Sequence, residues 1–460
     1  MGLINAIRQA VNRLLGKSTI ETAAGVKLAT TPEMMDAIDR WSAMYQGIPA
    51  WVGPTVRTLG LPAAIASEIA RLITIEMKSG ITGSARAEYL NDQYKTVLRD
   101  LRRYVEYGCA KGGLIFKPYI DGANIVVDYV QANQFYPAAF DGKGNVTDIV
   151  FVERKQHGDV TFTRLERHEL TGNRCKITNK AYRSVNKSYL GTEVSLTAVD
   201  EWADISPIAV IEPVDRLLFG YYRPALANTI DPTSPLGVSV YSRAEGLIEE
   251  ADKQYSRLLW EFEGGELAID ADISLFKIDK SGKPILPHGR ERLFRALNLD
   301  ASQNGVKQLD TFSPALRDAS LINGLNQLLE CIEDVCGLAR GTFSQQEVEA
   351  KTATEIKVLK QRSYATVADN QKALQTALEQ LIYAMDVWAS VGKLSPAGLY
   401  EASFEWDDSL VVDMQSEQAI RMQEVAANLI KPEHYIMWRY GVSEEEAKNL
   451  LPTQNAFGEG

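Results

Sequence analysis

The chain opens on a helical spacing of apolar positions. Between residues 2 and 17, Leu3, Ile4, Ile7, Val11, Leu14 and Leu15 recur at three- and four-residue intervals, with Arg8, Arg13 and Lys17 among them. This spacing predicts an amphipathic helix. A helix docked on protein is favoured over one lying on a membrane surface. From about 31 to 108 the period remains helical, with Pro32, Pro54 and Pro62 marking breaks or starts. From Gly113 to about Val194 it changes to two. "GLIFKPYI", "NIVVDYV", "DIVFVERK", "DVTFTRLERHEL" and "CKITNKAYR" read as strands of an antiparallel sheet, with "DGAN", "DGKGN" and "LTGN" as turns. Residues 195–238 are loop-rich and stiffened by Pro224, Pro232 and Pro235.

Beyond 238 the helical period returns twice, on either side of a β-rich insert. A helix over 239–263 carries Leu247, Ile248, Ala251, Tyr255, Leu258, Leu259 and Phe262 on one face and stops at Gly264 and Gly265. Residues 266–312 read as a small β-rich module, with "SGKPILPHG" as its turn. A second helix follows over 315–336, with Leu316, Ala319, Ile322, Leu325, Leu328, Leu329 and Ile332 on its stripe. The segment "ARGTFSQQEVEAK" is polar, lacks an apolar period and so has no core to join. A helix over 352–391 would reach roughly 60 Å, more than a small domain needs. The strand "YEASFEWDD" and acidic helices close the chain. The whole reads as α+β.

Trp260 breaks the helical logic. It lies roughly 160° from the centre of the apolar face, among Glu249, Lys253 and Arg257. A lone exposed aromatic is the bland reading; a helix with a second partner on its charged side is the sharper one.

Composition narrows the class. The 460 residues are 45% apolar and 24% charged, as in a globular protein of about three domains. No apolar run reaches the ~18 residues of a membrane span, and no secretory leader is evident. Cys109, Cys175, Cys331 and Cys336 are scattered, as reduced thiols are; Cys336 falls on an apolar stripe and reads as core. The net charge of −11 argues against a protein built to grip DNA phosphates, though not against one that stays near DNA without sticking.

Catalytic motifs are absent from the pattern. "GKST", residues 16–19, is the tail of a phosphate-binding loop, but Val11 stands where the first glycine belongs and a helix precedes it. His157 and His168 lie in strands expected at the surface and read as solvated. Glu405, Asp407, Asp408 and Asp413 could hold a magnesium ion but have no second cluster, so a solvated acidic edge is favoured. No cofactor or metal is expected.

The run "GYYRPALANTIDPTSPLGVSVYSRAEGLIEEADKQYSRLLWEFEGGELAID", residues 220–270, resembles portal proteins of tailed bacteriophages, nearest those of long-tailed phages and prophages of Gram-positive bacteria. The likeness continues through "SPALRDASLINGLNQLLECIEDVCGLARGTFS" and "YEASFEWDDSLVVD". It implies an α/β wing over 1–238, a stem helix over 239–263, a clip over 264–314 and a second stem helix over 315–338. A tunnel loop would span 339–352, the long wing helix and a returning strand 353–412, and a short crown or C-terminal helices 413–460. It also implies a non-enzymatic ring, usually of twelve copies, at one capsid vertex. DNA would be packaged and ejected through the ring.

The partners so implied are the terminase large subunit, head-completion or adaptor proteins, the major capsid and scaffold proteins, and double-stranded DNA held non-specifically. No membrane is involved; assembly would take place in the host bacterial cytoplasm. The implied channel contacts are Arg340, Gln345, Gln346, Lys351 and Lys357. The stem contacts between subunits are Trp260, Lys253, Arg257 and Glu261. The clip residues are Leu267, Ile269, Phe276, Lys277 and Ile285. Two other classes compete. A DNA-processing enzyme would need a metal cluster or phosphate loop. A minor capsid or scaffold-binding protein would not explain a β module set between paired helices.

Overall fold

The computed structural model describes residues 17–75, 77–186, 189–281, 283–286, 293–297, 309–345, 353–406 and 414–451. For 353–362 and 414–417 it describes the backbone alone. The helix expected over 2–17 therefore lies outside the described residues except at its end. There Lys17 stands in a helix described over 17–24, α1, and donates to the Thr30 carbonyl at 2.7 Å. Lys17 is thus in a helix and not in a loop curled around a phosphate.

α2 (Pro32–Tyr45) and α3 (Leu61–Thr74) each carry a proline in the first turn, where no amide hydrogen is needed. β1 (Met77–Gly83) follows, and then α4 (Ala85–Lys111), which Gly112 ends in a left-handed conformation. β1 corrects the expectation that the pattern from 31 to 108, between its proline breaks, is helical throughout. Its antiparallel partner is β16 (Tyr400–Trp406), so its pairing is invisible to any local window.

The strand region forms two antiparallel sheets, not the single sheet the period suggests. One has the order β10 (Gly220–Tyr222), β2 (Leu114–Asp121), β3 (Asn124–Gln131). The other runs β4 (Phe135–Phe140), β5 (Val146–His157), β6 (Val160–Thr171), β7 (Arg174–Ser184), β8 (Thr192–Val194), with β9 (Ile208–Ile211) also on β7. Two-residue glycine turns join β5 to β6 and β6 to β7, with Gly158 and Gly172 at positive φ.

α5 (Glu245–Gly264) starts six residues later than the period suggested, and α6 (Asp318–Cys336) three later. Between them lie a three-stranded sheet, β14 (Phe294–Leu297), β11 (Ala268–Asp272), β15 (Leu309–Phe312), and a hairpin, β12 (Lys277–Ile278) with β13 (Pro284–Ile285). The hairpin turn is thus only the first part of "SGKPILPHG". α7 (Ala353–Val391) is the long helix, and α8 (Met414–Ala426), α9 (Pro432–Tyr440) and α10 (Glu444–Leu450) close the described chain.

The main core gathers α2, α3, α4, β2, β10 and α7, together with the near ends of α5 and α6. α7 buries Leu374, Ala377, Leu378, Leu381 and Met385 against this body. Gly220 on β10 allows the closest approach: a Cβ there would lie 2.0 Å from the Ala377 carbonyl oxygen.

A charged face of β6 is also buried. His168 is 2% exposed, which corrects its reading as solvated. Its Nε2 lies 2.7 Å from Glu166, and Glu166 also meets Lys117 at 2.7 Å and Arg164 at 3.1 Å. Burial opposes ionisation of Glu166 most strongly, but Lys117, His168 and Arg164 together outweigh it and hold its carboxyl well below the usual range.

Candidate functional site

The helix pair and the segment that follows it gather most of the predicted residues. α5 and α6 are antiparallel. Gln254 donates to the Leu321 carbonyl at 3.2 Å, and farther along Glu261 accepts from Arg317. Gly324 lets the helices close, since a Cβ there would sit 3.3 Å from Gln254.

The near ends are anchored. Ile248, Ala251 and Asp252 of α5 are buried, as are Ile332, Glu333 and Cys336 of α6. Asp252 accepts the Trp51 indole N–H at 2.9 Å and the Leu59 amide at 2.8 Å, so it holds the 51–59 loop against the helix. Cys336 is core as expected, and burial pushes its thiol up to about 12. The far ends differ. No α5 residue beyond Asp252 and no α6 residue before Ile332 is buried.

Of the stem candidates, Lys253, Arg257 and Trp260 come together. With Pro54, Arg57 and Glu263 they line a cleft of about 550 Å³. Trp260 is 69% exposed. Lys253 is paired with Glu249 and Glu250, each at 2.8 Å. Sequence reasoning missed the wall formed by 54–57; the proline-broken run "GIPAWVGPTVRTLG" was the available signal. Glu261 takes a different part. Its carboxylate accepts the Arg317 amide and both arms of its guanidinium, which bring it down to about 2. This pair pins together the points where the chain leaves α5 and enters α6.

In the β module, Leu267 and Ile285 are 49% and 54% exposed, Lys277 is exposed, and Ile269 and Phe276 are half-buried. Phe276 meets Phe294 edge-on at 6.1 Å. Arg295 is bidentate to Asp270 and lies 4.5 Å from the Phe312 ring.

The segment after α6 departs from expectation. It is expected to have no core to join, yet Ser344 is buried and Phe343 packs against the core. Arg340 is engaged by Asp334 at 2.7 Å and Glu330 at 3.7 Å, so its charge is answered within the chain. Gln345 is exposed in side chain, but its backbone is gripped by Asn326. Gln346 and Lys351 lie outside the described residues. Lys357 is on α7, with its side chain outside the description. Asp407, Asp408 and Asp413 lie outside it too. Among the described residues no group of His, Cys, Asp and Glu could hold a metal ion, and no helix is long and apolar enough to cross a membrane.

The described chain is thus a mixed helix-and-sheet protein that sets a β module between paired helices and leaves apolar side chains of both exposed. The family model for phage portal protein, SPP1 Gp6-like, matches residues 83–455, and the chain belongs to this family. The family is structural and not enzymatic. No curated protein matches the chain.

Proposed function

We propose that copies of this chain close into a ring at one vertex of a phage capsid and conduct double-stranded DNA through its centre, first in packaging and later in ejection. The observation that carries this reading is the bare far half of the helix pair. Trp260 and Phe262 there are 69% and 46% exposed, and Leu316, just before α6, is 44% exposed. In that half α5 also meets residues 54–57 and α6 holds residues 340–345, yet much of the pair's surface stays uncovered. Copies on either side cover it, and a repeated head-to-tail contact closes as a ring.

On this reading α5 and α6 are the stem, the β module is the clip, and residues 1–238 with α7 and β16 form the wing. Residues 339–352 are the tunnel loop and 413–460 the crown or C-terminal helices. Trp260, Lys253 and Arg257 face the neighbouring subunit, while Glu261 serves its own chain through Arg317. The exposed clip residues Leu267 and Ile285 suit the docking of terminase and then of head-completion proteins. Capsid and scaffold proteins surround the wing. A net charge of −11 lets DNA slide past without tight capture.

Size exclusion with light scattering, followed by negative-stain microscopy, tests the reading. The expected result is a mass many times 51.0 kDa and particles with a central hole. A monomer at every concentration would sink it.

A further inference from the structure

Glu333 is fully buried near the end of α6, and it is not a structural ion pair. Its partners are neutral donors from one short stretch. Oε2 accepts the Gly341 amide at 3.1 Å and the Ser344 hydroxyl at 2.8 Å; Oε1 accepts the Phe343 amide and, at 2.7 Å, the Ser344 amide. Among the described residues no cation forms an ion pair with it. Burying a carboxylate without a counter-ion is costly unless hydrogen bonds satisfy it. Here four donors do so, and none belongs to a helix or strand.

The stretch lies along one face of α6. Asn326, Glu330, Glu333 and Asp334 recur at helical spacing. Asn326 holds the Gln345 amide at 2.6 Å and its carbonyl at 3.2 Å, while Glu330 and Asp334 hold Arg340. The chain therefore leaves α6 at Gly337 and doubles back along the helix. Gly337 itself is at φ 71°, and a Cβ there would lie 2.3 Å from the Thr366 hydroxyl on α7. The turn is thus closed from the other side as well.

We propose that Glu333 is a positioning residue: it fixes residues 341–344 to α6, so that the root of the tunnel loop moves with the stem helix as one body. The functional half of this inference rests on the conduit reading; the structural half does not. A carboxylate suits the task because it has only acceptors. Two equivalent oxygens take four donors, and a half-turn of the carboxylate about its own axis restores all four.

Hydrogen exchange on the full-length protein tests the structural half, with wild type, Glu333→Gln, Glu333→Ala and Asn326→Ala compared. Gln keeps the volume and one carbonyl acceptor, so it is expected to be intermediate. In Glu333→Ala the amides of 341–344 should exchange faster by about tenfold or more, while those of 318–332 stay at wild-type rates. Asn326→Ala should free only the Gln345 amide. Unchanged exchange at 341–344 in both Glu333 variants, or faster exchange throughout α6, overturns the proposal.

The second readout is DNase-protected DNA in assembled heads. Glu333→Ala rings should form but protect less DNA, with Glu333→Gln between. Loosened amides with wild-type protection would overturn the positioning role. If wild-type protein forms no ring, the conduit reading fails, and the exchange result still decides the attachment of 341–344.

Discussion

At the scale of single residues, the charged face of β6 carries the clearest lesson. Arg164, Glu166 and His168 alternate along the strand, and alternating charges ordinarily mark a face in water. That reading fails because the face is completed by charges from neighbouring strands as well as by Arg164 and His168 pairing with Glu166. Lys117 on β2 meets Glu166, and Asp128 on β3 lies 3.7 Å from Lys117. A sequence window over β6 contains neither Lys117 nor Asp128. Replacing Lys117 by Met leaves Glu166 buried with less compensation and should destabilise the fold by about 3–5 kcal/mol, read by urea denaturation at one protein concentration. The pH dependence has a definite sign. The Glu166 carboxyl is depressed on folding, so its contribution is full above the unfolded value of about 4.3 and is lost as pH falls through the lower folded value. Acid unfolding of Lys117→Met should begin at higher pH than in wild type.

At the scale of elements, the two helices that flank the β module are legible in the sequence, but their starts are not. α5 begins at Glu245 and not at 239 because Ser242–Ala244 form a tight 3-10 turn first. Gly220 was in view as the first residue of the quoted portal-like run, but its role was not. It stands where α7 crosses β10, and nothing in the local pattern says which helix will lie there. Gly220→Ala should force α7 off the strand. Overpacking of this kind typically costs about 1–3 kcal/mol, so the melting temperature should fall. Gly246→Ala is the control. It lies in the first turn of α5 with open space around its Cβ position, and its melting temperature should hold or rise. Equal falls in both variants would remove the close-approach argument.

At the scale of the whole molecule, the order of elements was legible, and so was the oddity of Trp260. A neighbouring copy as the partner of Trp260 was implied by the resemblance to portal proteins and not by the local pattern, because an exposed side chain does not say what covers it. The cleft beside Trp260 could not be read either, since its second wall comes from residues 54–57. If Trp260 seats against a neighbour, Trp260→Ala should weaken association by about 2–4 kcal/mol and leave the circular dichroism and urea midpoint of the dissociated chain unchanged. A dilution series followed by light scattering reads the difference. An unaltered oligomer distribution would make Trp260 an ordinary exposed aromatic.

The pairing of β1 with β16 bears on when this protein can finish folding. Met77 meets Trp406 and Gly83 meets Tyr400, partners more than 300 residues apart. At synthesis rates of roughly 5–20 residues per second, β1 leaves the ribosome some tens of seconds before its partner exists. α4 and α7, which flank this pair, must wait with it: Ser84 bonds the Leu399 carbonyl and Trp406 bonds Gln375 on α7. A nascent chain can complete the strand region around β4–β9 early, but not the body built on α4 and α7. Whatever faces that body offers to another copy take their final form only in chains made through β16, which separates the start of synthesis from assembly in time.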